Sequence, residues 1–260
     1  MLRILTLSLV VCWVLMAPAF SAPQVDVQVL AENRGDLPFQ PSADDDINLN
    51  VATMTSPTPW HPVNTNPADQ EAAFTDGLDL GPLTGLLNDF LGGPEPIDNE
   101  NVPAAVAEWY FSGPQDLYEI RVFSGNSGGR DGRIFHHYDV ATTTSANPAL
   151  GPFTPLIEEV IPVSTGFGSV GNPNPPGLYE AALTVVNNDS DGPMISGVTG
   201  IQITFYMVSE TSGAFRDDWD AGNGDDRDGA PPAFESPLIY EVDAFFTDQN
   251  PSAVENWSIY

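Results

Sequence analysis

The stretch that most constrains the fold runs from Leu117 to Val140, with the sequence LYEIRVFSGNSGGRDGRIFHHYDV. Residues 118–123 alternate their side chains with the two-residue period of a half-buried strand. Residues 126–132 (NSGGRDG) are turn formers, because glycine accepts a positive φ and Asn, Asp and Ser favour turns. Residues 133–140 return to aromatic and β-branched side chains, which favour strands. The stretch therefore predicts two strands joined by a glycine-rich loop.

Similar strand-sized runs recur along most of the chain, with turn residues between them. They cover residues 47–52, 107–111, 134–142, 155–163, 178–187, 198–208 and 238–246. Pro162 places its run at a sheet edge or at a strand end. No long helical pattern separates the runs, which predicts an all-β fold, an antiparallel β-sandwich with loop insertions at residues 78–103 and 209–237.

The first 21 residues have the pattern of a secretory signal peptide. Arg3 precedes an apolar run of 13 residues, Ile4 to Met16, and Ala19-Phe-Ser21 resembles a cleavage site. A retained anchor is the alternative, but the apolar run is short for a bilayer, which needs about 20 residues. We therefore predict export, to the extracellular space or the periplasm, and no membrane span.

Cleavage at this site would leave a chain without thiols, because the single cysteine, Cys12, lies in the predicted signal. This excludes disulfides, cysteine nucleophiles and cysteine-ligated zinc. Residues 22–46 are polar and are predicted to form a flexible N-terminal arm. Residues 47–246 are predicted to form one domain, followed by a tail at 247–260.

The charge of the chain limits its partners. Seven arginines and no lysine stand against 36 acidic residues, a formal net charge of −29. Such a surface repels nucleic acid and anionic membranes, so neither is an expected partner. It suits a protein that stays dissolved in a salt- or calcium-containing exterior.

Five stretches, in this order, resemble the galactose-binding-like jelly roll of the discoidin or coagulation factor F5/8 type C superfamily. They are Asn48-Leu49, Ala73-Phe-Thr-Asp76-Gly77, Glu108-Trp-Tyr-Phe111 with Leu117-Tyr-Glu-Ile-Arg-Val-Phe-Ser124, Gly132-Arg133 through Tyr138-Asp-Val140, and Tyr240-Glu-Val-Asp-Ala-Phe245. The resemblance spans residues 47–246. The chain departs from the family in the length of its two insertions, which could rebuild the ligand end of the sandwich.

The resemblance implies a structural calcium ion held by the aspartate of the Asp-Gly motif and the glutamate of the closing strand. In this chain those are Asp76 and Glu241, with Asp79 as a third candidate. Carboxylates together with backbone carbonyls are the ligands that calcium prefers. The alternative is that Asp76 caps a turn and Glu241 faces water.

Two other patterns bear on metal binding. Residues 217–229 (DDWDAGNGDDRDG) are acidic, but Gly222 and the lack of a closing glutamate depart from an EF-hand loop, so a solvated loop is favoured. His136 and His137 are neighbours on a predicted strand and would point to opposite faces, which argues against one shared ion.

The resemblance also implies recognition of a ligand, such as carbohydrate, by loops at one end of the sandwich. Aromatic rings stack on sugars and arginine supplies a rigid donor fork. The candidates for this role are Trp60, His61, Arg130, Arg133 and Trp219. Packing or a surface ion pair is the alternative for each of them.

Catalysis finds little support: the sequence has no His-Glu-x-x-His or phosphate-loop pattern and no lysine base. Gly125-Asn-Ser-Gly-Gly129 fits Gly-x-Ser-x-Gly, but it lies in the predicted loop between two strands and not in the strand–turn–helix elbow of that motif. We therefore predict an exported, non-catalytic module that binds carbohydrate or another cell-surface or matrix ligand. Two alternatives remain open, a structural protein of the cell exterior without a sugar site and a secreted carbohydrate-active enzyme.

Overall fold

The apolar alternation after residue 198 produces a long central strand. Ile201, Ile203 and Phe205 lie on one face of it and are buried, as the period of two predicts. In the computed structural model this strand lies in the middle of a five-stranded sheet. The structure describes residues 25–32, 34–48, 50, 52–56, 59–60, 74–78, 85, 87, 103–125, 138–160, 181–188, 192–206, 208–209, 234–235 and 238–247.

Eleven strands and two 3-10 turns make up the regular structure of the described residues. The strands are β1 (Val25–Glu32), β2 (Thr53–Met54), β3 (Pro103–Leu117), β4 (Glu119–Gly125), β5 (Tyr138–Thr143), β6 (Thr154–Val160), β7 (Ala181–Asn188), β8 (Ile195–Tyr206), β9 (Val208–Ser209), β10 (Phe234–Glu235) and β11 (Ile239–Phe245). The 3-10 turns are Arg34–Asp36 and Pro148–Leu150. The predicted all-β class is confirmed, since the described residues form no α-helix.

Two antiparallel sheets carry the fold. The larger has the strand order β2-β3-β8-β5-β6, and the smaller has the order β1-β7-β4-β11. Strands β9 and β10 form a separate two-stranded pair. The edge position of β6 confirms the prediction made from the proline that follows it.

One hydrophobic core joins the inner faces of the two sheets. Trp109 and Ile203 from the five-stranded sheet belong to the same cluster as Ile120, Val122 and Val186 from the four-stranded sheet. This shared core makes the architecture sandwich-like, with one apolar layer between two sheets.

The N-terminal region differs from its predicted structure. Residues 25–32, predicted as part of a flexible arm, form β1 and pair with β7 in an unbroken antiparallel register. Residues 47–52, predicted as a strand, contain no strand among those described, and β2 begins only at Thr53. The Asp45 carboxylate accepts the backbone N–H of Ile47 at 2.8 Å, and this local bond favours a turn over a strand.

Residues 34–48, which we call the N-terminal cover, cross the outer face of the four-stranded sheet. Leu37 and Phe39 pack there in a second apolar cluster with Phe123, Leu183 and other outward-facing residues. At the far edge of the sheet, the Asp46 N–H donates to the Ala244 carbonyl of β11 at 2.9 Å. The outer face of this sheet is therefore buried beneath its own chain.

The structure describes no helix with the length and apolar character that a membrane crossing requires. The predicted signal peptide at residues 1–21 lies outside the described residues, as do most of the two predicted insertions and of the predicted C-terminal tail.

Candidate metal centre

Strand β11 places two carboxylates on one face. Glu241 and Asp243 are two positions apart, so their side chains point to the same side of the strand. Both are fully buried, and β11 is the last strand of its sheet. Their cross-strand neighbours on β4 are Phe123 and Arg121.

Asp45 joins them from the N-terminal cover. Its Oδ1 accepts the N–H of Ile47 at 2.8 Å and the N–H of Ala244 at 3.3 Å, which holds the carboxylate against β11. Ligand oxygens of Asp45, Glu241 and Asp243 all lie within 4.8 Å of one another. We call these three residues the carboxylate trio.

The turn at residues 74–78 closes another side of the trio. Gly77 donates its N–H to Glu241 Oε1 at 3.1 Å, while Asp76 accepts the N–H of Leu78 at 2.9 Å. Gly77 has φ = 71°, and a Cβ on it would lie 2.6 Å from the backbone of Ala43. Only glycine satisfies both the conformation and the close approach, which explains why a glycine follows Asp76 in this turn.

Each member of the trio keeps one buried oxygen without a hydrogen-bond partner among the described residues. These atoms are Asp45 Oδ2, Glu241 Oε2 and Asp243 Oδ2. Leaving a buried acceptor unsatisfied costs about 1–3 kcal/mol, and more if the group is charged. All three unpartnered atoms belong to the residues whose carboxylates approach one another within 4.8 Å.

Burial and mutual repulsion raise the pKa of all three carboxyls. The pKa rises to about 6 for Asp45, about 8 for Asp243 and about 10 for Glu241. Loss of solvation is the largest cause in each case, and neighbouring carboxylates add to it. A divalent cation would reverse this, since it favours the ionised form of the carboxyls around it.

One described basic side chain, Arg121, acts on the trio but is also paired with another carboxylate. Arg121 lowers the pKa of Asp243, but its Nε lies 2.5 Å from Glu119 Oε1 in an ion pair. Its guanidinium also packs between two rings, 3.8 Å from the centroid of Phe39 and 4.6 Å from that of Phe245. Arg121 thus shares its positive charge between Asp243 and Glu119.

The donor set fits a hard cation. The trio offers only carboxylate oxygens, which suit calcium and magnesium, and neither histidine nor cysteine is among the grouped residues. Calcium takes six to eight oxygen ligands, so the three side chains would supply part of its coordination shell.

The predicted metal ligands match this site in part. Glu241 belongs to the trio, and Asp76 lies close enough to raise the Glu241 pKa, although its carboxylate is outside the group of three. Asp79 lies outside the described residues. Asp45 and Asp243 were not predicted. The two-residue spacing of Glu241 and Asp243 could have indicated Asp243, whereas only the folded chain brings Asp45 to them.

One predicted ligand-binding residue is described, and it lies in the core. Trp60 is 9% exposed, pairs with Leu87 in an isolated bridge and packs its ring 5.1 Å from that of Phe74. The other four candidates lie outside the described residues: His61, Arg130, Arg133 and Trp219. The acidic loop 217–229 and the pair His136 and His137 lie outside them too.

Comparison with known proteins finds no match to this chain among family models, curated proteins or solved structures.

Proposed function

We propose that this chain is a non-catalytic binding module of the cell exterior, stabilised by a calcium ion in the carboxylate trio. The observation that carries the proposal is the set of three buried carboxylates that approach one another within 4.8 Å, each with one oxygen that has no hydrogen-bond partner among the described residues. Calcium is preferred over magnesium because it accepts irregular, carboxylate-rich coordination, while magnesium retains its water in a strict octahedron.

The galactose-binding-like jelly roll is the fold we propose for the module. Two of the stretches that carry the resemblance, around Ile120 and Val242, are paired antiparallel strands, β4 and β11. A third, the Asp-Gly motif, contacts the closing strand through the hydrogen bond from Gly77 to Glu241. This adjacency supports the resemblance, since stretches distant in sequence meet around one acidic site.

Isothermal titration calorimetry of residues 22–260 with calcium chloride tests the metal site. We expect one site whose occupancy is lost when Glu241→Gln and Asp243→Asn are combined. Asp44→Asn is the matched control, because Asp44 is exposed and adjacent to the trio residue Asp45. The control should bind calcium as the unaltered protein does.

The same titration separates a built site from general attraction to an acidic surface. Diffuse binding by 36 acidic residues would be weak, would respond to salt and would survive the double substitution. An isotherm unchanged by Glu241→Gln with Asp243→Asn would overturn the proposed site.

A further inference from the structure

The outer face of the five-stranded sheet carries a row of side chains that crosses all five strands. Directly paired residues on adjacent strands share a face, and the register links Thr53, Glu108, Gln202, Ala141 and Pro155 in that order. The core residues of β3 and β8 point the other way, into the space between the sheets. The row therefore lies on the side of the sheet away from the core.

A cleft of about 170 Å³ opens at the β5–β6 end of this row. Its floor is formed by Asp139, Ala141, Gln202 and Thr204, which come from β5 and β8. Ala141 has the shortest side chain of the four, and the space lies where longer neighbours surround it. We call this space the sheet-face cleft.

The polar groups of the floor are held in place by their neighbours. Gln202 Nε2 donates to Glu108 Oε1 at 2.6 Å, and Tyr110 donates its hydroxyl to the other oxygen of Glu108. Tyr206 donates its hydroxyl to Asp139 Oδ2 at 2.9 Å. These bonds fix an amide and a carboxylate before any ligand arrives, which lowers the entropy lost on binding.

The side of the cleft next to β6 is apolar. It is lined by Phe153, which precedes β6, and by Pro155 and Ile157 of that strand. Flat aromatic and proline surfaces pack against the C–H faces of sugar rings, while fixed amide, carboxylate and hydroxyl groups bind ring hydroxyls. The sheet-face cleft combines both kinds of surface.

The charge of the lining selects among polar ligands. None of the described side chains that line the cleft is basic, and Asp139 contributes negative charge. Phosphate, sulfate and uronic acid groups would be repelled. The volume is below the roughly 300–1,000 Å³ of pockets for larger ligands, which limits the occupant to one small ring.

From these observations we infer that the sheet-face cleft binds one neutral sugar ring of a glycan. This inference rests on the proposed role as a binding module and gives it a ligand class and a place. The place is a sheet face, whereas the sequence predicted the loop end of the sandwich.

The test is binding of calcium-saturated protein to immobilised neutral polysaccharides (galactan, xylan, mannan and β-glucan), with alginate as an anionic comparison. Ala141→Leu fills the cleft and Gln202→Ala removes its fixed amide, and each should weaken binding at least tenfold. Thr53→Ala is the matched control, because Thr53 lies at the opposite end of the same row and is exposed. Its binding should equal that of the unaltered protein.

Three results would overturn the inference: no neutral polysaccharide retained by folded protein, binding unaffected by both cleft variants, or preference for alginate. Melting temperatures recorded on every sample distinguish a folding defect from a lost contact. Calcium titration on the same samples separates the two proposals, since the sheet-face cleft can fail while the carboxylate trio still binds its ion.

Discussion

The outer faces of the two sheets differ in what lies on them. The N-terminal cover buries the outer face of the four-stranded sheet, where Leu183 is fully inaccessible. On the five-stranded sheet, Gln202, Thr204 and Tyr206 remain partly exposed, and Gln202 and Tyr206 donate hydrogen bonds to Glu108 and Asp139. The comparison teaches that the outer face of one sheet contributes to the stability of the fold, while the polar outer face of the other stays partly exposed.

Truncation of one side chain on each face, an apolar one on the covered face and a polar one on the open face, tests this difference most strongly. Leu183→Ala should lower the free energy of unfolding by about 2–5 kcal/mol, because it opens a cavity beneath the cover. Thr204→Ala should change it by no more than about 0.5 kcal/mol, as expected of a partly exposed position. Chemical denaturation measures both. Equal losses in the free energy of unfolding would mean that the two outer faces contribute equally to stability.

The response to calcium should depend on pH in a direction set by the trio. The folded-state pKa values, about 6, 8 and 10, lie above the ordinary values of 3.8 for Asp and 4.5 for Glu. Without metal, the folded state binds protons that the unfolded state has lost, so stability is greatest at low pH. It falls as pH rises through this window, because buried carboxyls must ionise without compensation.

Saturating calcium should therefore raise the melting temperature by about 5–10 °C at pH 8, and by clearly less at pH 5. At 100 times the dissociation constant, binding stabilises by about 2.7 kcal/mol, and each kcal/mol shifts the melting temperature by about 2–4 °C for a chain of this size. Thermal scans with calcium and with chelator at both pH values measure the effect. A larger rise at pH 5 would contradict the buried trio.

Gly77→Ala should lower the free energy of unfolding by about 1–3 kcal/mol. The left-handed conformation is strained for alanine, and the new Cβ would meet the backbone of Ala43. Gly113→Ala is the control: its Cβ would meet nothing within 4 Å. Urea midpoints measure both variants. Equal midpoints would show that the contact between the turn and the cover is dispensable.

Loss of one hydrogen bond on the open face should have a smaller effect than the changes on the covered side. Tyr206→Phe removes the hydroxyl that orients Asp139 and should cost about 0.5–1.5 kcal/mol, the net contribution of one hydrogen bond. If that hydroxyl positions a ligand group, the substitution should change the free energy of polysaccharide binding more than the free energy of unfolding. Parallel measurements of the urea midpoint and of retention on galactan decide between a positioning role and a purely structural one.

Local pattern was enough to find most of the sheet strands. Residues such as Ile201, Ile203 and Phe205 alternate so regularly that burial on one side follows from the strand period. Strand β1 was not predicted, although Val25, Val27 and Val29 alternate with polar residues, because the run is short and is followed by a polar stretch. Edge strands depend on their partner more than on their own sequence.

The sequence could indicate only those residues of the candidate metal centre that lie on one strand, β11. Glu241 was expected, but from the resemblance, and Asp243 shares its face through a two-residue spacing. Asp45 is one of three consecutive aspartates, Asp44 to Asp46, that the sequence cannot rank. Tertiary contacts separate them: Asp45 is buried against β11, while the other two are exposed.

The bond between Asp45 and Ala244 spans 199 positions of the chain. A cation that bridges the same two segments would contact Asp45, Glu241 and Asp243 together only after these two segments have met. Its binding energy would then be realised late in folding, beyond the transition state, where it slows unfolding and leaves the folding rate almost unchanged. Calcium would thus act on the lifetime of the folded protein and protect it from proteases for as long as the ion stays bound.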